Sequence, residues 1–149
     1  MARPKIPPAV LHASPDDVEA QFYEALQQGD IHRLMGVWAD DDEVVCVHPG
    51  GSRVIGQAAI RASFEAIFTH GGVRAAPEHV HRLQTLGMAV HHLVERITVT
   101  TDEGTQTGWV LATNVYLKTA MGWRMVAHHA SPGGPHELPT PGDMSSTLH

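Results

Sequence analysis

The chain is poor in cysteine, in cationic side chains and in long apolar runs, and each shortage removes a class of function. One cysteine among 149 residues, Cys46, excludes an internal disulfide and fits a reducing compartment. No apolar run reaches the roughly 18 residues that a membrane-spanning helix needs. The opening MARPKIPPAVLHASP has prolines where a signal peptide carries a continuous apolar segment. These features lead to the expectation of a cytoplasmic protein with no membrane partner. Ten Lys plus Arg against sixteen Asp plus Glu give a net charge of −6. That argues against a nucleic-acid partner, because neutralising phosphates needs a basic face. The strands expected beyond residue 43 hold no aspartate: Asp102 falls in a turn, and Glu95 in LVERITV is the one carboxylate well inside a strand. Histidine, by contrast, is abundant. Twelve are present, each able to change charge close to neutral pH.

The length suits one domain with a single core, and a hydrophobic content of 42% is that of a globular protein. Residues 1–13, with three prolines, read as an arm. Residues 14–133 form the domain, and the Pro-, Gly- and Ser-rich stretch 134–149 reads as a flexible tail.

Ser14 is a good N-cap, Pro15 suits the first helical position, and Asp16 and Asp17 favour the positive end of the helix dipole. Val18, Phe22, Ala25 and Leu26 then recur at helical spacing up to Gly29. Asp30 caps a second, short helix with Ile31, Leu34, Met35 and Trp38 on its apolar side. Glu43–His48 reads as a buried strand stopped by Pro49, Gly50 and Gly51. A third helix covers Gln57 to Thr69, burying Ala59, Ile60, Phe64, Ile67 and Phe68, with Arg61 and Glu65 one turn apart outside. From His79 the pattern is β: 79–83, 88–100, then a long hairpin over Gly108–Ser131. Both faces of that hairpin are mostly apolar, so it belongs mid-sheet. Strict alternation puts Trp123, Met125, Ala127 and His129 on one face, and Arg124, Val126 and His128 on the other. The order α-α-β-α-β-β-β-β indicates an α+β fold, in which a strongly curved sheet over a long helix leaves a conical pocket.

Polar groups within such apolar strands are the natural site candidates. Glu95, facing inward, would be desolvated, its pKa raised, and able to act as a base near neutrality; facing outward it would pair with an arginine. Asn114 needs hydrogen-bond partners or costs about 1–3 kcal/mol, and Tyr116 shares its strand face. His48 could be a general base or a hydrogen-bonded histidine holding the HPGG loop. His79 and His81, spaced i, i+2, lack the further ligands that zinc requires, so no metal site is expected. Cys46 reads as a small hydrophobe.

The segments GDIHRLMGVWADDDEVVCVHPGG (29–51), TNVY (113–116) and GWRMVAHHAS (122–131) resemble the nuclear transport factor 2-like (cystatin-like) superfamily, and within it SnoaL-like, DUF4440-type proteins. The ending Trp123, Val126, His129, Ser131 also resembles the calcium/calmodulin-dependent kinase II association domain. The resemblance implies N-terminal helices packed in a curved mixed or antiparallel sheet, and a pocket implicating Trp38, His48, Asn114 and His129. It also implies homodimers through the outer sheet face. No cofactor is implied. Relatives with isomerase or cyclase activity use a buried Asp base or a His–Asp pair, which the strands here do not offer. Two functions follow. The first is an isomerase, dehydratase or cyclase-type enzyme on a small apolar carbonyl compound, with His48, His129 or Glu95 moving protons and Asn114 or Trp38 orienting an oxygen. The second is a non-catalytic ligand-binding or assembly module.

Overall fold

A computed structural model describes residues 12–133. The expected tail over 134–149 and most of the expected arm over 1–13 lie outside the described residues. Three helices, α1 (Pro15–Gln28), α2 (Ile31–Gly36) and α3 (Gln57–Phe68), accompany six strands: β1 (Val45–Val47), β2 (Arg53–Ile55), β3 (Ala75–Gln84), β4 (Met88–Thr101), β5 (Gly104–Thr119) and β6 (Gly122–Gly133). The strands form one open sheet in the order β2-β1-β6-β5-β4-β3. Every neighbouring pair is antiparallel except β1 with β6, which is parallel. The fold is therefore α+β with a mixed sheet, and the β5–β6 hairpin sits mid-sheet as its two-sided apolarity requires.

Local chemistry explains the helix ends. The Ser14 side chain accepts from the Asp17 N–H at 3.1 Å, and that of Asp30 accepts from the Arg33 N–H at 3.1 Å. Gly29 ends α1 at φ +65°, a left-handed conformation that costs glycine little. Gly72 passes so close to the Gln27 carbonyl that a Cβ there would overlap it, which seats the chain after α3 against the end of α1. The α3 face is narrower than its sequence suggests. Ile60 and Phe64 are buried, Ile67 and Phe68 are half-buried, and Ala59 is exposed. Arg61 and Glu65 form the expected exposed pair at 3.3 Å. Strand β2, three residues long, had no recognisable sequence pattern.

The helices lie on one face of the sheet. Val18, Phe22, Tyr23, Ala25 and Leu26 of α1 bury against the sheet with Leu34, Trp38, Ile60 and Phe64. The floor beneath them is built from cross-strand rows: Ala89–Tyr116–Met125, His91–Asn114–His128 and Leu93–Ala112–Ala130. The third of these rows is small-sided on two of its three strands. A register shift between Val115 and Tyr116 places Ala127 opposite the first and Met125 opposite the second, leaving Val126 as an extra residue on β6. Such a bulge reverses the facing of everything beyond it. Trp123 and Met125 therefore share the inner face with His128 and Ala130, not with Ala127 and His129.

Candidate functional site

Seven polar side chains from four elements meet beneath α1: Glu19 and Tyr23 on α1, His91 and Glu95 on β4, Asn114 and Tyr116 on β5, and His128 on β6. All are buried. Glu19 and Tyr23 lie one helical turn apart on the stripe that also carries Phe22 and Leu26, so the packing that buries that stripe buries them too. The strand residues are at alternate positions on the inner face.

Two carboxylates anchor the set. Glu19 Oε2 accepts from the Tyr116 hydroxyl at 2.6 Å, from His91 Nδ1 at 2.8 Å and from the Asn114 amide at 3.4 Å. Glu95 Oε2 accepts from the Tyr23 hydroxyl at 2.7 Å. Asn114 joins the two groups. Its Nδ2 donates to Glu19 and, at 3.1 Å, to the Tyr23 oxygen, while its Oδ1 accepts from His128 Nδ1 at 2.5 Å. The donors and acceptors set the tautomers. A carboxylate and an amide oxygen only accept, so both His91 and His128 carry hydrogen on Nδ1. In the neutral form of either ring Nε2 is then a lone pair. That of His91 is buried with no partner. That of His128 faces Glu95 Oε2 at 3.9 Å.

Burial, offset in part by the Tyr23 hydrogen bond and assisted by the Glu19 charge, raises the Glu95 carboxyl to about 7. Burial also lowers His128 to about 3, with His48 and His129 adding to the effect. With a neutral ring and a half-protonated acid, the 3.9 Å contact is no ion pair at neutral pH. Both tyrosine hydroxyls are pushed well above the usual range, first by burial.

The residues singled out from sequence divide. Glu95, Asn114 and Tyr116 belong to this cluster. Trp38 is buried beside Met125, and its Nε1 has no partner. His48 stands apart: Ser63 gives its hydroxyl hydrogen to the Ile60 carbonyl, so its oxygen accepts from His48 Nε2 at 2.9 Å, and the ring packs edge-on against Phe64. This ties the loop after β1 to α3. Burial lowers the His48 pKa. His129, expected on the Trp123 face, is exposed on the outer face because of the β6 bulge. Cys46 is fully buried and its thiol is pushed up to about 12 by burial and the Glu95 charge. Sequence reasoning missed Glu19, Tyr23 and His91; it counted His128 among the candidate polar groups of the hairpin but placed it on the face opposite the pocket. The available signal was a carboxylate at position 19 within the apolar stripe formed by Val18, Phe22 and Leu26. Among the described residues, no group of three or more His, Cys, Asp or Glu side chains is arranged to hold a metal ion, and no helix is long and apolar enough to cross a membrane.

The Glu95 and His128 shifts have opposite consequences for stability. A carboxyl raised from 4.5 to about 7 favours the folded state below pH 4.5, and that contribution is lost as pH rises to 7. A histidine lowered from 6.5 to about 3 contributes above pH 6.5 and is lost as pH falls to 3. Between about pH 4.5 and 6.5 the two slopes cancel. Glu95→Gln removes one of them. Its unfolding free energy, measured by urea titration relative to the parent, should climb by about 1.4 kcal/mol per pH unit from pH 4.5 to 7. Parallel pH profiles for the two proteins would show that Glu95 is an ordinary carboxylate.

Comparison with known proteins follows the same lines. The sequence profile of the SnoaL-like domain matches residues 16–135. A structure from Thiobacillus denitrificans, provisionally named a calcium/calmodulin-dependent protein kinase type II association domain, is 35% identical; the match covers 81% of this chain and 96% of that one, with a TM-score of 0.74. A Streptomyces avermitilis structure, provisionally named a dehydratase of the nuclear transport factor 2-like family, is 27% identical over 85% of this chain and 99% of that one, with a TM-score of 0.72. A cystatin-like protein from Novosphingobium aromaticivorans shares the fold at 15% identity, with 80% of each chain covered and a TM-score of 0.68. No curated protein matches. The chain belongs to the SnoaL-like domain family, within the nuclear transport factor 2-like, cystatin-like fold.

Proposed function

We propose that this chain is an acid–base enzyme of the isomerase or dehydratase type, acting in the cytoplasm on a small, largely apolar carbonyl compound. The observation that carries the reading is His91: its Nδ1 is held by the Glu19 carboxylate, and its Nε2 is buried without a partner. A lone pair so placed is a costly feature in a purely structural core. It is also what a general base requires, a basic atom oriented by a second group. His91 Nε2 takes a proton from the carbon next to the carbonyl while the Glu95 carboxyl gives its proton to the carbonyl oxygen, forming an enol. Return of the proton to a different carbon completes an isomerisation. Alternatively, departure of a β-hydroxyl group, protonated to water, completes a dehydration. His91 and Glu95 are four residues apart on one strand face, roughly 13 Å along the strand at about 3.3 Å per residue. The carbon that loses the proton and the carbonyl oxygen are neighbours in the substrate, so both side chains must converge along that span on one small compound. The S. avermitilis relative's provisional name agrees with the dehydratase form.

The test is hydrogen–deuterium exchange next to the carbonyl, with loss of water followed in parallel, for a panel of cyclic ketones and β-hydroxy ketones in D₂O. At least one compound should react above the buffer rate, with kcat/KM falling as pH rises through about 7 and Glu95 loses its proton. His91→Asn should lower the rate by about 10²–10⁴-fold, and His129→Ala should leave it unchanged. Exchange that survives His91→Asn would overturn the assignment.

A second reading, homodimerisation, rests on the outer sheet face. Leu111, Leu117 and Met88 are 50, 38 and 41% exposed there, beside half-buried Val90, Val94 and Val115. Cross-strand register lines these up around a polar row, His92–Thr113–His129, in which His92 Nδ1 bonds the Thr113 hydroxyl at 3.0 Å. We propose a second copy of the chain as the cover for this face. Sedimentation velocity at micromolar concentration should give a dimer that Leu111→Asp converts to a monomer. A monomeric parent protein, or a dimer indifferent to that change, would refute it.

A further inference from the structure

A groove of about 440 Å³ opens at the β3 edge of the sheet and is lined by Gln27, Arg74, Ala75, Ala76, Arg96 and Thr98. Its volume falls in the range of small-molecule sites. Three elements build it. Gln27, in the last turn of α1, donates from Nε2 to the Ala75 carbonyl at 2.6 Å, pinning the helix end to β3. The Thr98 N–H donates to the Arg74 carbonyl at 3.0 Å, which brings the start of β3 beside β4. Ala76 pairs with Arg96 across the two strands. Through these contacts the backbone holds two guanidinium-bearing residues around one concavity, with Ala75 and Ala76 also in its lining.

The charges there are unbalanced. The chain has more acids than bases, yet no lining residue is a carboxylate. Arg96 Nε meets Glu78 at 3.2 Å, an exposed contact of small energetic value that leaves the other donors of the fork available. The Arg74 guanidinium has no hydrogen bond or ion pair among the described residues. By contrast, Arg33, Arg61 and Arg82 each have a carboxylate partner. Two like charges around one groove repel unless an anion lies between them, and planar guanidinium forks match the oxygens of carboxylate and phosphate groups. The Thr98 hydroxyl adds a further donor.

We propose that this groove is a binding site for a small oxyanion, a carboxylate- or phosphate-bearing compound, held by Arg74 and Arg96. None of its lining residues belongs to the acid–base cluster.

The test follows the arginine Nε–H signals of the ¹⁵N-labelled protein by NMR while sodium acetate or sodium phosphate is added, against sodium chloride at matched ionic strength. Arg74 and Arg96 should shift saturably with at least one of the two anions. Arg82, exposed and paired with Asp16 at the opposite end of α1 from Gln27, should not respond. Acetate or phosphate alone saturating the shift identifies the head group. Loss of a charge-assisted contact in Arg74→Gln should weaken binding by about ten-fold or more, and Glu78→Gln, which frees Arg96, should tighten it. Shifts that grow without saturating, that match those of chloride, or that are unaltered by Arg74→Gln would overturn the proposal.

Discussion

The constraint on which the inner face depends is that Asn114, inside an apolar sheet, must satisfy a side-chain amide without water. It does so by giving its two N–H groups to Glu19 and Tyr23 and taking one from His128. An amide has donors on one side and an acceptor on the other, so its orientation dictates its neighbours. The donor side must face oxygens of α1, and the acceptor side must face a ring N–H of β6. Helix and hairpin are thereby locked in register by polar contacts as well as by the packing of Phe22 on Tyr23, Phe64 and the His128 ring. Misplacing any member leaves a buried polar group unpaired, at about 1–3 kcal/mol each.

That same network separates the characters of two nearby carboxylates. Glu19 receives three donors, whereas Glu95 receives one, in a site just as dry. Burial, only partly offset by the single Tyr23 hydrogen bond, pushes Glu95 up to about 7. One carboxyl that orients a histidine beside another that carries a transferable proton is the usual division of labour in acid–base catalysis. Fold alone does not imply function, and it is this pairing that favours an enzyme over a passive module.

Much of this was legible in the sequence where the determinants are local. Ser14, Pro15, Gly29 and Asp30 mark helix ends through their own hydrogen-bonding groups and dihedral preferences, and the hairpin declares itself through β-branched residues and a glycine at its turn. Glu95 and Asn114 stand out as polar residues in apolar strands. What was illegible is non-local. The extra residue at Val126 arises from pairing with β5, and it exchanges the roles of His128 and His129, so strict alternation chose the wrong ring. Glu19 follows two aspartates in the first turns of a helix, where a carboxylate ordinarily faces solvent. Only the packing of α1 on the sheet puts it against His91 and Tyr116. Strand β2 is too short to carry a pattern of its own and is recruited by β1.

The most direct test of the account is a ¹³C NMR titration of the Glu95 side-chain carboxyl in the intact protein. The expected result is a midpoint near pH 7, with the Asn114 side-chain amide signals moving at the same pH because they lie one hydrogen bond beyond Tyr23. A midpoint near 4.5, with the amide signals silent, would contradict the account: Glu95 would then be solvated and the buried network would have no proton to transfer at neutral pH.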